Sequence, residues 1–146
     1  MIARVGRVTE TADDEAVAGH WRQLSGDFYR IAAALDRALE AGHQISASEF
    51  DVLERLSVAE KHELRMADLA PEVALSQSAL SRLITRLVAA GLVDRHACVD
   101  DRRSFFATLT DKGMELYDAA RPTQRSALRA ASAGCEVGDL LCDGDA

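Results

Sequence analysis

Long apolar runs are missing from this sequence of 146 residues. No stretch approaches the roughly 18 consecutive apolar residues that a membrane-spanning helix requires, so we expect no transmembrane segment and no membrane partner. The opening stretch, MIARVGRVTETADDE, also lacks the apolar centre of a secretory signal. We therefore expect the protein to remain in the cytoplasm.

Cysteine is scarce, and its positions exclude a common class of scaffold. The chain has three cysteines, Cys98, Cys135 and Cys142. An odd number without metal-ligand spacing predicts neither a disulfide framework nor a zinc site. The four histidines are scattered along the chain, and there is no glycine-rich phosphate loop. We expect no metal, no cofactor and no enzymatic activity.

Positive charge is also in short supply, but it is unevenly distributed. The chain carries 24 acidic and 17 basic side chains, a net charge of −7 that argues against indiscriminate nucleic-acid binding. Residues 76–112 nevertheless carry six basic and four acidic side chains. Local charge governs contact with phosphates, because salt screens charges more than about 10 Å apart. This segment is therefore the candidate for binding a polyanion.

Apolar residues make up 48 % of the chain, which is typical of one globular domain spanning 1–146. Residues 13–41 form the first periodic segment, and Gly42 is predicted to end it. Its apolar residues alternate four and three apart, as in a heptad repeat. This stripe is either a dimer seam or the core-facing side of one long helix. It comprises Val17, Trp21, Leu24, Phe28, Ile31, Leu35 and Ala38.

The rest of the chain predicts a short series of elements. A capping box, Ser46 to Glu49, begins a second helix, and a very short strand and a short helix follow. Ser76 caps a longer helix that ends before Gly91. Two strands then form a hairpin around CVDDRR. Thr110 caps a last helix, which Pro122 is expected to bend or divide.

This order is that of a winged helix-turn-helix. The predicted fold class is mainly α, with a DNA-binding lobe at 46–112 that carries a two-stranded β wing. N- and C-terminal helices, at 13–41 and 114–146, flank the lobe and form a helical dimerisation region. We expect residues Val17, Trp21, Leu24, Phe28, Leu140 and Leu141 in the dimer interface.

The capped helix after Ser76 has one polar face without acidic residues. A helix of this kind fits the major groove of DNA, where its first turn and outward side meet base edges. Hydroxyl, amide and guanidinium groups can all hydrogen bond there. The candidate recognition residues are Ser76, Gln77, Ser78, Ser81, Arg82, Thr85 and Arg86.

The hairpin tip, VDDRRS, places two arginines next to two acids. A tip arginine can enter the minor groove, whose negative potential attracts a guanidinium group. We expect Arg103 to take that position and Asp101 to hold it by a bidentate pair, while Arg102 faces a phosphate. Ser104 completes the predicted wing site. The alternative is an ordinary surface loop in which the two aspartates and the two arginines neutralise one another and bind nothing.

The segments LRMADLA, LSQSALSRLITRLVAAGLVDR, DDRRS and LTDKG stand in the order and spacing typical of one family. The chain resembles the MarR (multiple-antibiotic-resistance regulator) family of bacterial transcription factors over roughly residues 14–132. The resemblance implies a homodimer whose intertwined terminal helices carry two winged lobes, which bind a pseudo-palindrome in double-stranded DNA. It also implies Arg103 as the wing arginine and Asp101 as its partner.

Many members of this family are repressors released by small phenolic or lipophilic ligands, or by cysteine oxidation. The resemblance therefore implies a repressor with a small aromatic or lipophilic effector. Two alternatives remain: a winged-helix module that binds other proteins, and a redox-sensing regulator, although we expect no redox role for Cys98. The sequence departs from the family at its end, where CEVGDLLCDGDA replaces a leucine-rich last helix.

Overall fold

The computed structural model describes residues 11–135. This range contains five α-helices and three β-strands, so the predicted mainly helical fold is confirmed. A single 3-10 turn, Glu60–His62, precedes the first strand. The elements are α1 (Ala12–His43), α2 (Ala47–Val58), β1 (Glu63–Arg65), α3 (Met66–Glu72), α4 (Gln77–Ala89), β2 (Val93–Ala97), β3 (Phe105–Leu109) and α5 (Asp111–Ser132).

Side-chain caps fix the starts of the helices. At α2, the Glu49 backbone N–H donates to Ser46 Oγ at 3.1 Å, and the Ser46 N–H donates to Glu49 Oε2 at 2.9 Å. This capping box satisfies two N–H groups that the helix leaves free. Ser76 and Thr110 start α4 and α5 similarly, each accepting from the N–H three residues on, at 3.2 and 3.0 Å. All three predicted caps are confirmed.

Two helices differ from the sequence prediction, α1 at its end and α5 at its internal proline. The first helix, α1, continues past Gly42 to His43, and Gln44 takes the left-handed conformation with φ 59°. His43 lies against α5, where Nε2 is 2.8 Å from the Thr123 hydroxyl, so contact with a distant element extends α1. Helix α5 runs through Pro122 without division, because packing outweighs one lost backbone bond.

The wing hairpin is confirmed and gains a third strand. Strands β2 and β3 pair antiparallel from Val93↔Leu109 to Ala97↔Phe105. On the other side of β3, β1 pairs antiparallel from Glu63↔Thr108 to Arg65↔Phe106, which gives the order β1-β3-β2. The segment before α3 therefore anchors the root of the wing to the helical part of the lobe.

The hydrophobic core lies in the lobe, between α2, α4 and the inner face of the sheet. The apolar side of α4 buries Leu80, Leu83, Ile84 and Leu87, whereas Val88 beside them is 39 % exposed. Burying side chains on one side of α4 forces its opposite side outward. The fully buried side chains include Phe50, Leu53, Leu56, Leu69, Leu80, Ile84, Leu87 and Val93.

Outside the lobe, α1 and α5 pack against each other. Arg30 joins them: its Nη2 donates to Asp27 Oδ1 at 2.6 Å and to Cys135 Sγ, just beyond α5, at 2.7 Å. Cys135 is buried there. None of the helices within residues 11–135 has the length and apolar composition to cross a bilayer.

Candidate nucleic-acid interface

The outward side of α4 is polar from its first turn onward. Gln77, Ser78, Arg82 and Thr85 are exposed, and Ser81 is half-buried. No acidic residue lies in the first turn of α4. No acidic side chain of that turn therefore competes with a ligand for the free backbone N–H groups at the start of the helix.

Three hydroxyls of this side already have partners within the chain. Ser76 Oγ caps α4 and lies 3.2 Å from Ser78 Oγ, and Thr85 Oγ1 donates to the Ser81 carbonyl at 2.9 Å. Gln77 and Arg82, by contrast, make no side-chain hydrogen bond within the described chain. They are the groups of α4 with the most hydrogen-bonding capacity to offer a ligand.

Arg86 connects α4 to α2. Its Nε donates to Glu49 Oε1 at 3.2 Å, and the other oxygen of that carboxylate closes the capping box of α2. The pair therefore links the two helices directly. The Arg86 side chain is still 64 % exposed, so a contact with DNA through its remaining N–H groups stays a prediction.

The wing turn, residues 98–104, is organised by Asp101. Its Oδ1 accepts from the Arg103 backbone N–H at 3.0 Å, and its Oδ2 accepts from the Ser104 hydroxyl at 2.8 Å. These two hydrogen bonds, in that order of effect, lower the pKa of Asp101 below its ordinary value. The predicted bidentate pair with the Arg103 guanidinium is not formed, because both carboxylate oxygens are used to shape the turn.

Arg102 and Arg103 are both exposed at this turn. Cys98, at the beginning of the turn, is half-buried and free, and its N–H donates to the Ser104 carbonyl at 2.8 Å. The turn therefore holds its backbone closed while the two guanidinium groups face solvent.

Two clefts flank α4. The first, of about 250 Å³, lies toward the start of α2 and is lined by Ser46, Ser48, Arg82 and Arg86 among others. The second, which we call the wing cleft, has a volume of about 330 Å³ and lies between α4 and the root of the wing. Its lining includes Arg65, Gln77, Ser81, Arg95, Arg103 and Phe105.

The sequence prediction missed two arginines of the wing cleft, Arg65 and Arg95. Arg95 lies two residues after buried Val93, and strand alternation could have placed it on the inner side of β2. Arg65 gave no such signal, because its strand is only three residues long. The Arg95 guanidinium carbon lies 4.3 Å from the centre of the Phe105 ring, within range of a cation–π contact.

Three arginines pair with glutamates: Arg55 with Glu72, Arg86 with Glu49 and Arg125 with Glu54. Five others, around α4 and the wing, have no carboxylate within 4.0 Å among residues 11–135. They are Arg65, Arg82, Arg95, Arg102 and Arg103. Although the protein is acidic, this surface therefore carries several arginines without an ion-pair partner.

The predicted dimer residues of α1 are exposed on a single chain. Val17, Trp21 and Phe28 are 68 %, 65 % and 63 % exposed, and Leu24 is 42 % exposed. The stripe is therefore not the core-facing side of α1 along this part of the helix. Leu140 and Leu141 lie outside the described residues.

A family model described as "MarR family" matches residues 45–105, which contain α2, α3, α4 and most of the wing. The chain is similar to the MarR family of winged helix-turn-helix transcriptional regulators. It is 30 % identical over 97 residues to the HTH-type transcriptional regulator PecS of Dickeya dadantii (strain 3937). The match covers 64 % of the chain and 58 % of PecS, so little more than half of that relative's length is represented.

Two solved structures of MarR regulators from Streptomyces coelicolor resemble the whole fold. Sco3205, whose crystal structure is in complex with DNA, is 28 % identical with a TM-score of 0.77, over 94 % of this chain and 86 % of the other. AbsC is 27 % identical with a TM-score of 0.75, over 94 % and 91 %. The family is one of transcriptional regulators and not of enzymes.

Proposed function

We propose that this chain is a sequence-specific, double-stranded DNA-binding transcriptional regulator. It acts in the cytoplasm as a homodimer on a pseudo-palindromic operator. The single observation that carries the proposal is the surface formed by α4 and the wing. On that surface five arginines lack carboxylate partners within the described chain, although the protein has a net charge of −7.

The shape of the lobe supports the same proposal. Because α4 buries its apolar side and turns Gln77 and Arg82 outward, it can lie in a major groove with these side chains at base edges. Arg102 and Arg103 are exposed at the wing turn, where a guanidinium group can enter an adjacent minor groove. The similar regulator Sco3205 was solved in complex with DNA, which supports DNA as the ligand of this lobe.

The exposed stripe of α1 supports a dimer with a second copy of the chain. Val17, Trp21 and Phe28 form an exposed apolar surface, and exposure of such a surface to water is unfavourable. The heptad-like spacing suits packing against another helix. Two-fold symmetry in the protein then requires an inverted repeat whose half-sites lie about 10 base pairs apart.

We also propose that the protein is a repressor, which a small aromatic or lipophilic effector releases from its operator. This proposal is supported by similarity to the MarR family, in which such release is common. Release by oxidation is the alternative, and half-buried Cys98 at the wing is its candidate residue. We expect Cys98→Ser to retain both DNA binding and the response to effector.

The test is selection of bound sequences from random duplex DNA by the purified protein, repeated with Arg82→Ala. The wild type should enrich an inverted repeat, and Arg82→Ala should bind with relaxed preference at particular positions of it. Arg55→Ala is the matched control, since Arg55 pairs with Glu72 and lines neither cleft. Absence of any enriched sequence with the wild type would replace the proposal with a protein-binding winged module.

A further inference from the structure

The wing cleft separates the two parts of the protein that the proposed function places in different grooves. Its walls are the first turns of α4, with Gln77 and Ser81, and the root of the wing, with Arg95 and Phe105. Arg65 closes it from the side of β1. Within the described chain, its lining contains three arginines and no acidic residue.

Adjacent major and minor grooves of B-DNA are separated by one sugar-phosphate strand. If α4 lies in the major groove and the wing turn in the neighbouring minor groove, that strand must pass between them. The wing cleft is the space between α4 and the wing. The group that meets the cleft is then a backbone phosphate, and not the edge of a base.

We infer that the wing cleft binds a single phosphodiester of the DNA backbone, with Arg95 as its principal ligand. This inference rests on the proposed function and assigns a ligand to a part of the surface outside the predicted recognition helix and wing turn. Arg95 supplies a forked, charged donor that matches phosphate geometry. Ser81 on the opposite wall supplies a hydroxyl at the same opening.

The surroundings of Arg95 hold it ready for this contact. Its guanidinium lies 4.3 Å from the Phe105 ring centre, so the side chain is supported on one flat side while its edge N–H groups remain free. The neighbouring acid does not neutralise it. Asp94 is in register with Thr108 and Arg95 with Ala107, and successive residues of a strand point to opposite faces.

A phosphate contact and a base contact have different signatures in salt titrations. The logarithm of the binding constant for duplex DNA falls linearly with the logarithm of salt concentration, with a slope of about −0.9 for each phosphate neutralised. Binding of wild type, Arg95→Gln and Arg95→Lys is therefore measured across salt concentrations. The probes are a duplex selected by the wild type and an unrelated duplex of equal length.

We expect Arg95→Gln to bind both duplexes more weakly, by about tenfold at moderate salt for the selected one. Its salt slope should be shallower by about one unit per lobe. Arg95→Lys should keep the wild-type slope, because it keeps the charge. Arg55→Gln, which removes an arginine outside both clefts, should match the wild type. Circular dichroism should show the same fold in every variant, because Arg95 is exposed.

Two results would overturn the assignment while leaving the proposed function intact. One is an unchanged affinity and slope for Arg95→Gln. The other is a change in preferred sequence in selection with Arg95→Gln, which would mean that Arg95 contacts a base. Failure of the wild type to select any sequence would instead overturn the proposed function, and the phosphate site with it.

Discussion

Arg103 lies at the wing turn with its backbone fixed and its side chain free. The Asp101 carboxylate holds its N–H, while the guanidinium group is exposed and has no carboxylate partner among residues 11–135. Because the backbone of the turn is already fixed, binding orders the Arg103 side chain without also having to order the loop. At the scale of single residues, the proposed function therefore makes a specific prediction for Arg103.

Arg103→Ala should weaken DNA binding by about 1–3 kcal/mol, because it removes a charged contact in a groove. The melting temperature should change little, since the side chain is exposed. Affinity of the purified variant for a selected duplex at moderate salt is the measurement, with Arg55→Ala as control. Equal affinities of Arg103→Ala and wild type would remove Arg103 from the site.

The pH dependence of the wing turn follows from Asp101. Hydrogen bonds from the Arg103 N–H and the Ser104 hydroxyl lower the pKa of this carboxyl in the folded protein. Such a group stabilises the turn above its unfolded pKa of about 3.9, and the effect disappears as the pH falls through the lower folded pKa. The carboxyl resonance of Asp101 should therefore titrate below the ordinary range of aspartate.

In the same experiment, the Arg103 amide resonance should titrate together with the Asp101 carboxyl. Asp101→Asn should abolish this transition. A midpoint for Asp101 at or above the ordinary value would show that the two hydrogen bonds do not form in solution.

At the scale of elements, the start of α5 depends on one close approach. A Cβ on Gly113 would overlap the carbonyl oxygen of Leu92 and lie 2.7 Å from Leu109 Cδ1. The Leu92 carbonyl also accepts the Thr110 N–H at 3.1 Å, so it cannot move away without loss. Glycine is required here because the helix and the base of the wing touch through backbone atoms.

Gly113→Ala should destabilise the fold by about 1–3 kcal/mol or more, through overpacking against backbone that cannot yield. Thermal or denaturant unfolding of the two proteins measures this. Gly26→Ala is the control: no atom lies within 4 Å of a Cβ at that helical position, so it should be neutral or stabilise by about 0.5–1 kcal/mol. Equal stability of Gly113→Ala and wild type would contradict the close approach.

At the scale of the whole molecule, the outer stripe of α1 decides the assembly. Charging two of its residues, in the double variant Trp21→Asp with Phe28→Asp, should give a monomer, because each carboxylate would be buried against apolar surface. Specific DNA affinity should fall sharply at the same time, since two joined lobes make the second contact intramolecular. Analytical ultracentrifugation and duplex binding measure the two effects.

Val58→Asp is the matched control for this variant. Val58 is 75 % exposed at the end of α2, away from the stripe, and its replacement should leave mass and affinity unchanged. A dimer that survives the double substitution in α1 would assign the interface to another part of the chain. A monomer with full affinity for an inverted repeat would separate dimerisation from DNA binding.

The sequence by itself determined the elements whose causes are local. The caps Ser46, Ser76 and Thr110, the apolar spacing of α4 and the hairpin around the wing turn each depend on residues within a few positions of one another. Such signals survive in the sequence because capping and helical periodicity act between neighbours. The same local pattern carried the resemblance that the family model confirms over residues 45–105.

Only the tertiary structure decided what depends on residues far apart in the chain. It paired β1 with β3, joined Arg86 to Glu49, placed Arg95 over Phe105 and required glycine at 113 beneath Leu92. It also turned Asp101 from a predicted partner of a guanidinium group into the acceptor that closes the wing turn. Both oxygens of a carboxylate can be satisfied in several ways, and the backbone path of the turn selects among them. The sequence contains all of these groups, but the distances and hydrogen-bond geometry between them are set only when the chain folds and packs.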